Sequence, residues 1–337
     1  MRVHYWSADD AGSGMYRAVM PAMSLQWLGH QTSAGQRLPD DWQQLDAVVG
    51  CRVAKPGPSH TWRQMGEHGV RRVLDLDDDY LHLDPTNRTA YALWSSREMR
   101  QGLLDNLAAA DTVTCCSEPL AAVLRDYHPD VRVVPNGLPA QYLGEPRDYQ
   151  PDVLKVGWAG TASTVAELPE AVRALNRIVH YPRPGGSTVV RLVGISPQQA
   201  IATGLRGAGL GALGWVRDFG RYLAAVSGFD IWCAPYRDTA FNQAKYPTKF
   251  LEASTLGIPL IASDIEPYRA VIRHGETGFL VRREHQWGHY LKQLADDPEL
   301  RKRIGMAARA EASGSILQAI NQQWQQALQP ARERTAA

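Results

Sequence analysis

With 337 residues, 44% of them hydrophobic and 21% charged, the chain has the size and balance of a soluble protein of two ordinary domains, each able to bury its own core. Thirty-six basic residues against 35 acidic ones leave a net charge of +1, which argues against a basic tail or a charge-driven nucleic-acid binder and leaves only a local basic patch open. Cys51, Cys115, Cys116 and Cys233 form no CxxC pair and no zinc spacing, so they read as small buried hydrophobes in a reducing compartment.

The N-terminal MRVHYWSADD runs straight into folded sequence, with no apolar leader, and no apolar run reaches the roughly 20 residues of a membrane span. The expectation is a cytoplasmic protein without a transmembrane segment; docking at a membrane surface stays open.

In chain order, Val3 to Trp6 reads as a strand entering the loop Gly12-Ser13-Gly14, and Met15 to Leu28 has helical spacing. Ala47 to Val49 and Val73 to Leu76 are short buried strands, the second running into Asp77-Asp78-Asp79. A helix over about 97–110 is followed by a strand over Thr112 to Cys115, a helix over Glu118 to Tyr127 and a strand over Val131 to Val134, which stops at Pro135-Asn136-Gly137. Residues 138–152 lack periodicity and hold Pro139, Gly144, Pro146 and Pro151, the composition of an interdomain linker.

A second alternating series follows: strands at Leu154 to Trp158, Val189 to Val193, Ile231 to Cys233 and Leu260 to Ala262, with helices at Leu168 to His180, Phe219 to Ser227 and Thr248 to Leu256. The tail, 286–328, reads as two or three helices. Strands alternating with helices, twice over, predict an α/β fold of two Rossmann-like domains: residues 1–140, then 151–314, with a final helix at about 315–330 returning to the first.

In doubly wound sheets ligands bind beyond the carboxyl ends of the strands, which singles out four loops. Gly157 to Ser163 carries small residues whose backbone N–H groups can approach an anion, with Thr161, Ser163 and Thr164 able to add hydroxyl donors, or it is simply a tight turn. Lys249 and Glu252 lie three apart on one helix face, where a cation would neutralise a leaving diphosphate and a carboxylate would accept two ribose hydroxyls; the bland alternative is a solvated ion pair.

Asp75 to Asp79 packs four carboxylates into five residues: an acceptor-facing acidic loop with Asp77, Asp78 and Asp79, a magnesium or calcium site, or a helix cap. Asp9 to Arg17 brings Gly12 and Gly14 to a strand end and Arg17 into the first helical turn, within reach of a phosphate or free on the surface.

Six segments in order over about 131–312, RVVPNGL, GWAGT, LGWVRD, KFLEASTLGIPLIASD, HGETGFLV and DDPELRKRIGMAAR, resemble the retaining glycosyltransferase superfamily of the GT-B type. The resemblance implies two domains facing across a cleft and transfer of a glycosyl group, with retention, from a nucleoside diphosphate sugar. No separate cofactor and no metal is implied.

It further implies that Glu252 holds the donor ribose, that Gly160 and Thr161 cradle the diphosphate, that Trp215 and Val216 lie at the base, and that the Gly12–Gly14 loop faces the cleft near the phosphates or the acceptor. His274 to Gly278 would be a structural turn. The commoner family pattern has a Glu eight residues before Glu252, where this chain has Ala244. Asn242 and Lys245 instead match a subgroup with an Asn–Lys–Lys–Glu arrangement. The Arg and Lys that many members carry after the diphosphate turn are missing, so Lys245 or Lys249 must supply the positive charge.

The expected site is therefore Asp78, Lys245 and Lys249 for catalysis, with the donor at Gly12, Gly14, Gly160, Thr161, Trp215, Val216, Asn242 and Glu252. Asp77, Asp79 and Arg17 complete it on the acceptor side. The acceptor is a saccharide or other glycoconjugate. The alternative is a hydroxymethylated base in DNA, for which Arg63, Arg71, Arg72, Arg88, Arg97 and Arg100, interleaved with Trp62, Tyr91 and Trp94, would form the basic face. More distant is a non-catalytic nucleotide-sugar binder or an epimerase on the same scaffold.

Overall fold

A computed structural model describes residues 1–10, 12–143, 148–183, 186–207 and 209–330; Ala11 of the first glycine loop and Gly144 and Pro146 of the expected linker lie outside the described residues. Two six-stranded parallel sheets organise the chain. The first contains β1 (Arg2–Trp6), β2 (Gln31–Gly35), β3 (Ala47–Cys51), β4 (Arg71–Leu76), β5 (Thr112–Cys115) and β6 (Val131–Val133), in the order β2-β1-β3-β4-β5-β6.

The second contains β7 (Val153–Ala159), β8 (Ser187–Val193), β9 (Leu210–Leu213), β10 (Ile231–Ala234), β11 (Leu260–Ser263) and β12 (Phe279–Val281), in the order β12-β11-β10-β7-β8-β9. Central strands such as β3, β5, β10 and β11 are buried at every residue, which is why they read as unbroken apolar runs. Each order reverses direction once, between β1 and β3 in the first sheet and between β7 and β10 in the second. The carboxyl ends beside these two reversals face one cleft.

Both fold class and architecture agree with expectation, and the differences have physical causes. The helix expected over 15–28 begins with a π-helical turn, Met15–Val19, before the α-helix Met20–Gln26. The edge strands β2 and β9 carry no fully buried residue, so hydrophobic patterning does not announce them. The helix Pro56–Glu67 opens on Pro-Gly-Pro, a turn signature, yet proline is tolerated in a first helical turn because its missing N–H would have no partner there.

Residues crossing between the domains do so twice. Helix Pro298–Ala312 packs on helix Thr248–Thr255 in the second domain, and helix Leu317–Ala327 packs on Met20–Gln26 in the first. There Trp324 is buried edge-to-face against Tyr5, with ring centroids 5.7 Å apart. The outgoing and returning passages lie side by side: Leu138 N–H donates to Ser315 O (3.2 Å) and Leu317 N–H to Leu138 O (2.8 Å). Gly137 is needed at this crossing because a Cβ would run into Ile320 and the Ser315 carbonyl.

Candidate active site

The cleft holds a cavity of about 580 Å³ lined from both domains, within the usual range for ligand pockets. The second domain contributes the turn after β7, the segment around Trp215, Tyr236 beyond β10, and the helix Thr248–Thr255. The first contributes the loop after β1, Arg52 beyond β3, and Asp77 and Asp78 beyond β4.

Lys249 and Glu252 both line the cavity but do not pair with each other. Lys249 Nζ donates to the Tyr236 hydroxyl at 2.7 Å. Glu252 is 3% exposed and is held by two phenols: Tyr16 donates to Oε1 at 2.6 Å and Tyr222 to Oε2 at 2.9 Å. Burial pushes its pKa above the ordinary glutamate value, opposed by the two hydroxyls and the Lys249 charge. Each carboxylate oxygen keeps a second lone pair, so the group can still accept a diol.

Opposite, Lys245 Nζ lies 2.7 Å from Asp78 Oδ1, an ion pair that crosses the cleft. Burial pushes the Asp78 carboxyl up, neighbouring Asp77 adds to this, and the Lys245 ammonium is the main opposing influence. Asp77 goes the other way. Burial would raise it, but Arg52 and hydrogen bonds from Ser13 and Tyr80 outweigh that and hold it below its ordinary range. Adjacent carboxyls driven apart in this manner suit different tasks, one a fixed anion and one able to exchange a proton.

Arg52 fixes this corner. Its backbone has φ +58°, uncommon for any residue but glycine, and its guanidinium pairs with Asp9 and reaches Asp77 at 3.6 Å.

Three expected site residues are corrected by their placement. Arg17 borders the cavity, but its donors are committed inward: its side chain is 1% exposed, donates to both oxygens of the buried Asp75 (3.0 and 2.6 Å), and binds the Val134 carbonyl and Asn136. A charge buried in a core needs such a partner, and Asp75 supplies it from β4.

Asp79 turns inward and accepts from the N–H groups of Leu81 and His82 at 3.1 Å each, so it caps its own turn and lies apart from the cavity. Asn242 is buried and donates to the Arg237 carbonyl at 3.0 Å, bracing a short helix rather than facing a sugar. Because Asp79 points away, the acidic loop presents two carboxylates to the cleft, not three.

Gly12 lines the cavity with φ +55°, while Gly14 is buried behind it, its N–H donating to Asp9 Oδ1 at 2.9 Å. Gly160 and Thr161 line the cavity too, but the Gly160 N–H is bonded to Val193 O and the Thr161 N–H to Thr164 Oγ1. The turn therefore offers hydroxyls, with Thr161 Oγ1 and Ser163 Oγ 2.6 Å apart, in place of those two amides. Facing it, Gly194 has φ +97°, and a Cβ there would strike the Gly160 carbonyl.

Trp215 is half exposed at the rim with its ring over Gly12, and Val216 lines the cavity beneath it. Of the basic face raised by the DNA alternative, Trp62 is fully buried, Trp94 is stacked on Tyr80, Arg72 pairs with Asp111 and Arg71 binds Thr112, while Tyr91 stays exposed. All four cysteines are buried and free, and burial pushes the Cys115 thiol up to about 12.

Residues 221–311, which carry Tyr222, Tyr236, Lys245, Lys249 and Glu252, match the family described as glycosyl transferases group 1. That match covers about a quarter of the chain, within the second domain.

A phosphatidyl-myo-inositol mannosyltransferase of Mycobacterium leprae (strain TN) is 25% identical over 238 residues, 63% of this chain and 62% of the relative, so the match spans less than two thirds of that protein. Among solved structures, Anabaena Alr3699/HepE in complex with UDP and glucose superposes with a TM-score of 0.70 at 14% identity, over 97% of this chain and 99% of the other. A glycosyltransferase from Rickettsia africae gives 0.63 at 13% identity, over 98% and 99%. At such identities the likeness shows the fold, the two-sheet GT-B architecture.

Around this cavity the sequence reading found the loops but missed Tyr16, Tyr222, Tyr236 and Arg52. Only Arg52 left a trace, at the end of β3 beside the strand reversal.

Proposed function

We propose that the chain transfers a glycosyl group from a nucleoside diphosphate sugar to a hydroxyl of a saccharide or other glycoconjugate, with retention at the anomeric carbon. The observation that carries this reading is the meeting of Glu252, Lys249 and Lys245 with the loops beyond β1 and β7 in one cavity, at the facing reversals of two parallel sheets. In this reading Glu252 accepts the ribose diol and the base lies along Trp215 and Val216. The diphosphate spans the hydroxyls of Thr161 and Ser163 and the ammonium of Lys249.

As the bond from the anomeric carbon to the diphosphate oxygen breaks, negative charge grows on the leaving group, and Lys249 with Lys245 stabilises it. The acceptor oxygen forms the new bond on the same face. Its proton passes to the departing phosphate oxygen, with Asp78 orienting the hydroxyl by accepting its hydrogen bond. Positioning and charge stabilisation carry the rate, and no separate cofactor is required. The family membership of residues 221–311 and the mannosyltransferase likeness support the reading.

The test is a screen of nucleoside diphosphate sugars with mass analysis of products, using saccharide, glycolipid and hydroxymethylated-DNA acceptors in parallel, with and without EDTA. Transfer to a saccharide or glycolipid, unaffected by EDTA, is expected. Products on DNA alone, or free sugar released without an acceptor, would overturn the acceptor assignment. Loss with EDTA and rescue by magnesium would overturn the metal-free mechanism.

A further inference from the structure

The donor carboxylate is not held by its own domain alone. Tyr222 reaches Glu252 Oε2 from the helix Phe219–Ser227 of the same domain, but Tyr16 reaches Oε1 from the first domain, 236 positions away in the chain. The Tyr16 ring is 7% exposed and stands edge-to-face on Phe219, centroids 5.6 Å apart and planes at 89°. Its hydroxyl is therefore delivered by a fixed ring rather than by a mobile side chain. Tyr16 sits in the helical turn that follows the Gly12–Gly14 loop, so one element supplies both a cavity wall and a donor to Glu252.

A buried carboxylate with one partner can rotate about its last torsion, whereas one gripped on both oxygens presents its remaining lone pairs in a fixed plane. We infer that Tyr16 is a positioning residue of the donor site, contributed by the first domain, which fixes the Glu252 carboxylate so that it can receive both ribose hydroxyls. This rests on the reading of Glu252 as the ribose acceptor. It makes ribose recognition a property of the two domains together: Glu252 is fully oriented only where Tyr16 is in place beside it.

Tyr16→Phe keeps the ring on Phe219 and removes only the hydroxyl. The probe is the tightest binder among UDP, GDP and ADP, measured by calorimetry beside its 2′,3′-dideoxy counterpart on the full chain. The wild type should prefer the ribonucleotide, and Tyr16→Phe should weaken ribonucleotide binding about tenfold while leaving the dideoxy compound unchanged. Equal losses on both compounds, or none on either, would overturn the positioning role, since a packing contact does not distinguish a ribose from a dideoxyribose. A wild type that binds none of the three, or binds ribo and dideoxy forms alike, would instead overturn the ribose assignment of Glu252 itself. Tyr222→Phe, which removes the grip from within the same domain, should show the same dependence on the hydroxyls.

Discussion

In the proposed donor site, ribose recognition rests on one buried group, Glu252. Replacing it by glutamine removes the charge but keeps the shape, and nucleotide-sugar affinity should fall by about 1.5–3 kcal/mol, the worth of hydrogen bonds to a charged acceptor. Calorimetry checks this, and unchanged affinity would remove Glu252 from the ribose. A pH dependence follows from the same residue. Burial raises its pKa above the ordinary 4.5, and the ionised form is the one that accepts the diol. Donor affinity should therefore fall as the medium is acidified, beginning at a pH above the ordinary glutamate range. The glutamine variant should lack that inflection. Sequence reading could place Glu252 on a helix beyond β10, but it could not tell that two phenols would meet it, because a tyrosine at an apolar helix position looks like core until the tertiary structure gives its hydroxyl a partner. The same blindness ran the other way for Arg17, Asp79 and Asn242. Polar residues near a strand end look available in sequence, yet each has turned inward to satisfy a buried group.

At the level of elements, the acidic turn after β4 and the short segment before helix Thr248–Thr255 are joined by the Lys245–Asp78 pair. In the proposed reaction a diphosphate entering the cavity would compete with Asp78 for the Lys245 ammonium. Asp78→Asn frees Lys245 of its carboxylate and, in the proposed reaction, would weaken the acceptor for the incoming hydroxyl. Nucleotide affinity should hold or rise slightly, while transfer falls at least tenfold. Donor titration and turnover on the one variant decide it, and normal transfer would make the turn a purely structural cap. The elements themselves were legible in proportion to their burial. Thr112–Cys115 is buried at every residue and was read in full. Gln31–Gly35 is an edge strand fixed by its hydrogen bonds to β1 more than by side chains, so its Gln-Thr-Ser-Ala-Gly sequence carries no hydrophobic pattern.

On the scale of the whole molecule, the last helix ties the end of the chain to its beginning. Trp324 is 1% exposed, packs on Tyr5 of β1, and lies 4.8 Å from the Arg17 guanidinium that braces β4. Trp324→Ala should cost about 3–5 kcal/mol, the range for deleting a large buried aromatic, and should appear as a lowered denaturation midpoint. Nucleotide binding measured well below that midpoint should be much less affected, because Trp324 is not among the residues that line the cavity. A variant with the wild-type midpoint would show that the first domain holds its strands without the returning helix.

The two passages of the chain between the domains, hydrogen-bonded to each other at Leu138, Ser315 and Leu317, have a mechanical consequence. Bodies joined by one linker can swivel, twist and drift in three rotations. Bodies joined by two adjacent linkers that are pinned together keep chiefly the rotation about the line through the pin. Any relative motion of the domains is thereby channelled into one angular coordinate, and that coordinate sets the separations Tyr16–Glu252 and Lys245–Asp78 together. Along that coordinate a change in one separation fixes the change in the other.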